Sequence, residues 1–217
     1  MWRCEANHAG SQGQGGWDSA RVQLTGIGEA TIIFKWTGRE WEPVLMSAQS
    51  AALLSKGINE LGLYTLVPLR APRETRFSTQ PGSRIGQYGG TIVARGGRHT
   101  AGREAVERLA RQGKRYLMEM RSNEHGWVVV DGEGGPLPLM HLANDARGVE
   151  GQANMRFTEQ GVGVAMRNVP GADLMAAKGV GDIAPSELLT SYGAAFWRVH
   201  QTLGQVDNPV LVEAHVA

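Results

Sequence analysis

Ala153-Asn154-Met155-Arg156-Phe157, a Gln160-Gly161 turn and Val162-Gly163-Val164-Ala165-Met166 form the stretch that decides the fold. Met155 and Phe157 alternate with polar neighbours, and Val162, Val164 and Met166 alternate again beyond the turn. Alternation of this kind on both sides of a glycine turn predicts a β-hairpin.

Moving outward, Trp127-Val128-Val129-Val130 predicts a buried strand. Between Thr100 and Gly113, Ala105, Val106, Leu109 and Ala110 recur at helical spacing, with Thr100 as a possible cap and Lys114 and Arg115 suited to the C-terminal dipole. Arg84–Val93, broken by Gly86, Gly89 and Gly90, and Gly62–Val67 read as further strands, as does the β-branched and aromatic run Ala30–Trp36. Ser47–Lys56 has Ala and Leu at helical spacing and ends at Gly57, which predicts a short helix. Residues 1–20, with Ser11-Gln12-Gly13-Gln14-Gly15-Gly16, read as a flexible leader. The expected class is α+β, mostly β, with short antiparallel strands and a few short helices.

The composition agrees. Thirty glycines in 217 residues are about twice the usual share of roughly 7%, which favours tight turns over long helices. A 41% hydrophobic and 20% charged chain sustains a core. With 22 basic and 21 acidic residues, the net charge of +1 lacks the bias of a nucleic-acid binder. The single cysteine, Cys4, excludes an internal disulfide and a Cys-rich zinc site, and no metal is expected. No run approaches a membrane span or a secretory signal, so the expectation is a soluble intracellular protein with no membrane partner. Gly89-Gly90 and Gly96-Gly97 lack the Gly-Lys-Ser/Thr ending of a phosphate loop. The basic residues from Arg103 to Arg115 are interrupted by Glu104 and Glu107, as on a solvated helix face.

The chemistry-bearing segment runs from Leu139 to Gly193. It holds His141-Leu142-Ala143-Asn144-Asp145-Ala146, the hairpin with Asn154, and Glu187-Leu188-Leu189-Thr190-Ser191-Tyr192-Gly193 followed by Phe196-Trp197. With Gly62-Leu63-Tyr64 and Tyr88-Gly89-Gly90 before it, this series resembles the SET-domain family of protein-lysine methyltransferases over roughly residues 57–200. Glu60 stands where the family has the first glycine of its cofactor turn, Asp145 stands for its histidine, and residues 170–181 look like an insertion.

The resemblance implies a SET-domain, β-clip-like fold with a knot-like C-terminal threading. It divides the chain into an N-terminal extension or accessory region (1–56), a catalytic domain (57–200) and a C-terminal tail (201–217). It implies S-adenosylmethionine as cofactor, S-adenosylhomocysteine as product, and a lysine-bearing protein or peptide, a histone or another protein, as substrate. Tyr192 would be catalytic. Gly62, Leu63, Tyr64, Asn144, Asp145, Tyr192, Phe196 and Trp197 would form the cofactor site, and Tyr88 and Thr190 the substrate channel, with Thr190 small enough to leave room for more than one methyl. Such transfer needs alignment of nitrogen, methyl and sulfur and a neutral amine. A catalytically inactive SET-like interaction module is the alternative. Each of these side chains also has a purely structural use: a packing tyrosine, a turn glycine, a self-bonded Asn-Asp turn, core aromatics.

Overall fold

The computed structural model describes residues 16–74, 79–95, 101–133, 135, 137–147 and 153–191. It opens with β1 (Trp17–Leu24), β2 (Gly28–Trp36), β3 (Trp41–Gln49) and, after the one-turn helix α1 (Ala51–Leu54), β4 (Leu61–Thr65). These strands pair antiparallel in sequence order as one four-stranded sheet. Adjacent apolar residues explain its position. Ile32 and Ile33 point to opposite faces, and both are buried, in two different clusters. A sheet whose middle strands carry apolar side chains on both faces has to be covered on both.

One face meets the main core, where Ile33, Leu45 and Leu63 pack with Ile85, Met140, Met155 and Leu188. The other carries Ile32, Met46 and Tyr64 and is covered by Val180 and Ile183. That cover comes from residues 170–183, which take in the segment 170–181 that looks like an insertion in the sequence. It ends in the short helix α3 (Val180–Ile183), where the Asp182 carboxylate accepts from the Lys178 and Gly179 amides.

The intervening chain builds smaller sheets. A two-residue ladder joins β5 (Arg73–Glu74) to β6 (Thr79–Gln80). β7 (Arg84–Gln87) lies beside the hairpin of β12 (Met155–Phe157) and β13 (Val162–Ala165), in the order β12-β13-β7. That hairpin has the predicted turn, with Met155 opposite Ala165. The glycine-broken run divides between sheets: β8 (Thr91–Arg95) joins β9 (Leu117–Ser122) and β10 (Gly126–Asp131) in the order β8-β10-β9. Helix α2 (Ala101–Arg111) packs on that sheet through Ala105, Val106 and Leu109, against Leu117 and Val129. Two-residue strands β11 (Asn144–Asp145) and β14 (Leu189–Thr190) form the parallel pair. The molecule is thus α+β and mostly β, built from several small sheets.

Two local expectations change. Ser47, Ala48 and Gln49 belong to β3, and the helix is confined to Ala51–Leu54. Pairing of Ser47 with Leu63 and of Ala48 with Gly62 prevails over helical spacing, and the helix begins where the Ser50 hydroxyl accepts from the Leu53 amide. Residues 17–20 are not leader but the first half of β1, in register with Lys35 to Ile32. Thr100 lies outside the described residues.

Gly26 marks how tightly the 170–183 segment sits on the β1–β2 turn. Its φ is +78°, and a Cβ there would collide with the Lys178 carbonyl oxygen. Gly26→Ala is expected to lower stability by about 2 kcal/mol, from left-handed backbone strain plus the displaced cover; urea unfolding measures it, and an unchanged midpoint would refute this packing.

Candidate functional site

α1 is too short to be stable alone, and its first amides need acceptors. Each has a side-chain oxygen: Ala51 N donates to the Tyr64 hydroxyl at 2.7 Å, Ala52 N to Glu187 Oε2 at 2.9 Å, and Leu53 N to Ser50 Oγ at 3.1 Å. The Ser50 hydroxyl in turn donates to Glu187 Oε1 at 2.5 Å. Tyr64 gives its own proton to the Gln49 carbonyl at 2.7 Å, with Glu187 Oε2 3.5 Å from its oxygen. Burial, then the neighbouring Glu187 charge, pushes the Tyr64 phenol well above its ordinary value of 10.0, so it stays protonated. Glu187 is 2% exposed and ties β4 to the segment that leads to Tyr192.

Gly62 permits this approach. A Cβ on it would lie 2.5 Å from Glu187 Oε1 and 3.1 Å from Ser50 Cβ. The space its missing side chain leaves is therefore filled by the protein's own carboxylate. Leu63 and Tyr64 are fully buried, and the Leu63 carbonyl accepts from Leu188 N at 2.7 Å.

The asparagine-bearing and tyrosine-bearing segments meet directly. Asn144 lies opposite Leu189 and Asp145 opposite Thr190, and Ala146 N donates to the Thr190 carbonyl at 2.8 Å. Asn154 holds the same segment at two points. Its amide donates to the Glu187 carbonyl at 2.7 Å, and its Oδ1 accepts from Leu189 N at 2.9 Å. The half-buried Asn144 donates to the Leu61 carbonyl at 3.0 Å, joining β11 to the start of β4. Asp145 is buried and turned into its own loop, accepting from Arg147 N at 2.7 Å. Thr190 is 1% exposed.

Beside Leu61 and Asn144 lies a polar, aromatic patch. Arg115 reaches Glu60 at 3.7 Å, and the Tyr116 and His141 rings meet edge to face at 5.0 Å. Tyr88 is buried in the main core, its ring against Phe157 and its hydroxyl donating to the Tyr116 carbonyl at 2.8 Å. Burial, with Asp131 and Tyr116 adding, raises the Tyr88 phenol. Burial, then Glu60, raises that of Tyr116. His141 is lowered from 6.5 by burial, against the opposing pull of Asp131 and Glu133. The buried Asp131 takes an ion pair from Lys114 at 3.0 Å.

Of the residues expected at the site, the structure brings together Gly62, Leu63, Tyr64, Asn144, Asp145 and Thr190, and puts Tyr88 behind Tyr116. Tyr192, Phe196 and Trp197 lie outside the described residues, which end at Ser191. Sequence reading missed the roles of Ser50, Tyr116 and His141 and the clamp made by Asn154. Glu187, Asn154 and His141 stood inside quoted segments, the only available signal. Among the described residues, no group of three or more His, Cys, Asp or Glu side chains could hold a metal, and no helix is long and apolar enough to cross a membrane. No protein-family model and no curated protein matches the chain.

Two outcomes follow. Asn154→Ala strands a buried amide at Leu189 and a carbonyl at Glu187, so a loss of about 2–4 kcal/mol is expected in chemical denaturation; a loss under about 0.5 kcal/mol would discredit the clamp. For His141, the unfolded chain takes up a proton near 6.5 and the folded chain only at lower pH. Its contribution to stability is therefore present above 6.5 and lost as pH falls below it. A His141→Gln variant should show a shallower fall of melting temperature from neutral to mildly acidic pH than the parent, and parallel curves would contradict that burial.

Proposed function

We propose that this chain is a SET-type protein-lysine methyltransferase that transfers a methyl group from S-adenosylmethionine to a lysine of a histone or another protein, releasing S-adenosylhomocysteine. The carrying observation is the parallel pair of Asn144–Asp145 with Leu189–Thr190. Three segments read separately from the sequence as parts of one site are joined there, since β4 is hydrogen-bonded to both strands' segments through Leu61 and Leu63. The SET-domain fold, with its knot-like threading, accommodates such a contact between distant segments.

The donor set suits the cofactor. Glu60 and Arg115 carry the two charges with which an amino-acid zwitterion pairs, Asn144 offers an amide to adenine, and Tyr116 and His141 offer aromatic surface. When bound, S-adenosylmethionine supplies an electrophilic methyl group on a sulfonium.

The chain's own task is positional. Tyr192 follows Ser191 at the end of β14, and its hydroxyl would hold the substrate nitrogen in line by a hydrogen bond. Thr190 and Leu189, just before it in the chain, are buried, and a low-dielectric wall would favour the neutral lysine amine that the reaction needs. An extended lysine-bearing segment would add to an exposed strand edge by β-augmentation; β8 is outermost in its sheet and exposes Ile92.

A catalytically inactive SET-like interaction module is the second reading, and Asp145 favours it. Its carboxylate is spent on the Arg147 amide at a position to which the resemblance gives cofactor contact. Calorimetric titration with S-adenosylmethionine separates the readings. The full chain is expected to bind, with Asn144→Ala weakening affinity about tenfold and Tyr192→Phe abolishing methyl transfer to histones or a lysine peptide. Absence of binding would sink the enzyme reading; unchanged transfer by Tyr192→Phe would remove that residue from its role.

A further inference from the structure

β4 has a functional candidate at each end. Asn144 touches it at Leu61, while beyond Thr65, about 13 Å along at roughly 3.3 Å per residue, the chain runs into a cleft of about 630 Å³. Residues 68–73 form one wall and Asn168–Pro170 the other. The walls are pinned to each other. Leu69 N donates to the Val169 carbonyl at 2.8 Å, Val169 N returns a bond to Leu69 at 3.0 Å, and Ala71 N donates to Asn168 Oδ1 at 2.8 Å. From behind, Ser83 bonds both ways with Arg70, accepting from its amide at 2.9 Å and donating to its carbonyl at 3.0 Å.

This leaves the cleft with an unusual set of free groups. Pro68, Pro72 and Pro170 have no N–H, and the amides of Leu69, Arg70, Ala71 and Val169 are already committed. Strand addition is therefore not how anything binds here. The charged donors of the lining are the exposed guanidinium groups of Arg70 and Arg73, in an otherwise largely apolar set of residues without a carboxylate. Among the described residues neither arginine forms an ion pair. Guanidinium groups receive carboxylates in a bidentate geometry, and proline, leucine and valine walls receive aliphatic side chains.

We propose that this cleft is a docking site for a short acidic, aliphatic peptide segment of a partner protein, held by Arg70 and Arg73. Charge complementarity selects the sign of the occupant, and the apolar walls select a peptide over a nucleic acid, which needs a longer basic track than two arginines. The site is separate from the proposed methyl-transfer site and stands or falls without it.

The test is fluorescence anisotropy of the full chain with a labelled peptide alternating glutamate and valine, a glutamine-for-glutamate version of it, and a labelled oligouridylate. The expected result is saturable binding of the acidic peptide that weakens with salt, with the glutamine version bound much more weakly. Arg70→Glu with Arg73→Glu should reduce affinity about tenfold or more, and the milder Arg70→Gln with Arg73→Gln should act in the same direction with an unchanged circular dichroism spectrum. Absence of binding at low salt, equal binding by parent and variants, or tighter binding of oligouridylate through the same arginines would each overturn the proposal.

Discussion

The Glu187 carboxylate, 2% exposed and accepting from Ser50 and from the Ala52 amide, is the constraint around which the rest is arranged. It sits where Gly62 has no side chain, so β4 can pass it at backbone distance. It ends the orphan state of one α1 amide, while Tyr64 and Ser50 satisfy the neighbours. A buried carboxylate costs free energy unless its lone pairs are filled, and here they are filled by groups that must then occupy fixed positions. Loss of the carboxylate would leave Ala52 N bare and unhinge both β4 and the approach to β14.

The same requirement explains the two-sided first sheet. Since β4 carries Leu63 into one cluster and Tyr64 into the other, the network at Glu187 sits at the seam between two cores. The main core is supplied by the hairpin and by Met140 and Leu188; the second needs residues 170–183 as its lid. What looks like an insertion beside the tyrosine-bearing motif is thus the cover for the N-terminal strands. Residues that carry no readable chemistry, from Trp17 to Gln49, in turn give β4 its antiparallel partner β3.

Much of this was legible in the chain. Met155, Phe157, Val162 and Val164 alternate, and the hairpin they predict forms with the predicted turn; helix α2 follows its apolar spacing closely. The signal failed where pairing with a distant strand decides the conformation. Ser47-Ala48-Gln49 has helical spacing, but its backbone is taken by β2 and β4. The site divides in the same way. Gly62, Asn144 and Thr190 stand out because a motif surrounds them, and they come together. Tyr116 has no such setting and His141 stands in the quoted segment without a role, and only the 5.0 Å contact of their rings reveals them as a pair. Nor does a period or a motif tell that a glycine's empty side is occupied by a carboxylate from 125 positions away (187 − 62).

That separation has a physical consequence for the site itself. The bonds from Ser50 and Ala52 to Glu187 span 137 and 135 residues, and Asn154 reaches the segment across 33 to 35. Closing a long loop costs entropy that only the contacts made on closure can offset, although the cost grows slowly with length. Hydrogen bonds worth about 1 kcal/mol each do not do this singly. They suffice together with the burial of Leu188 in the main core and of its neighbour Leu189, both at most 8% exposed. The polar network therefore selects which backbone atoms of residues 187–190 face β4, β11 and Asn154, while the apolar residues between them supply the attraction. Polar register and apolar adhesion alternate along one short segment. This is why residues 187–190 can bring three remote parts of the chain to one point without a long strand or helix of their own.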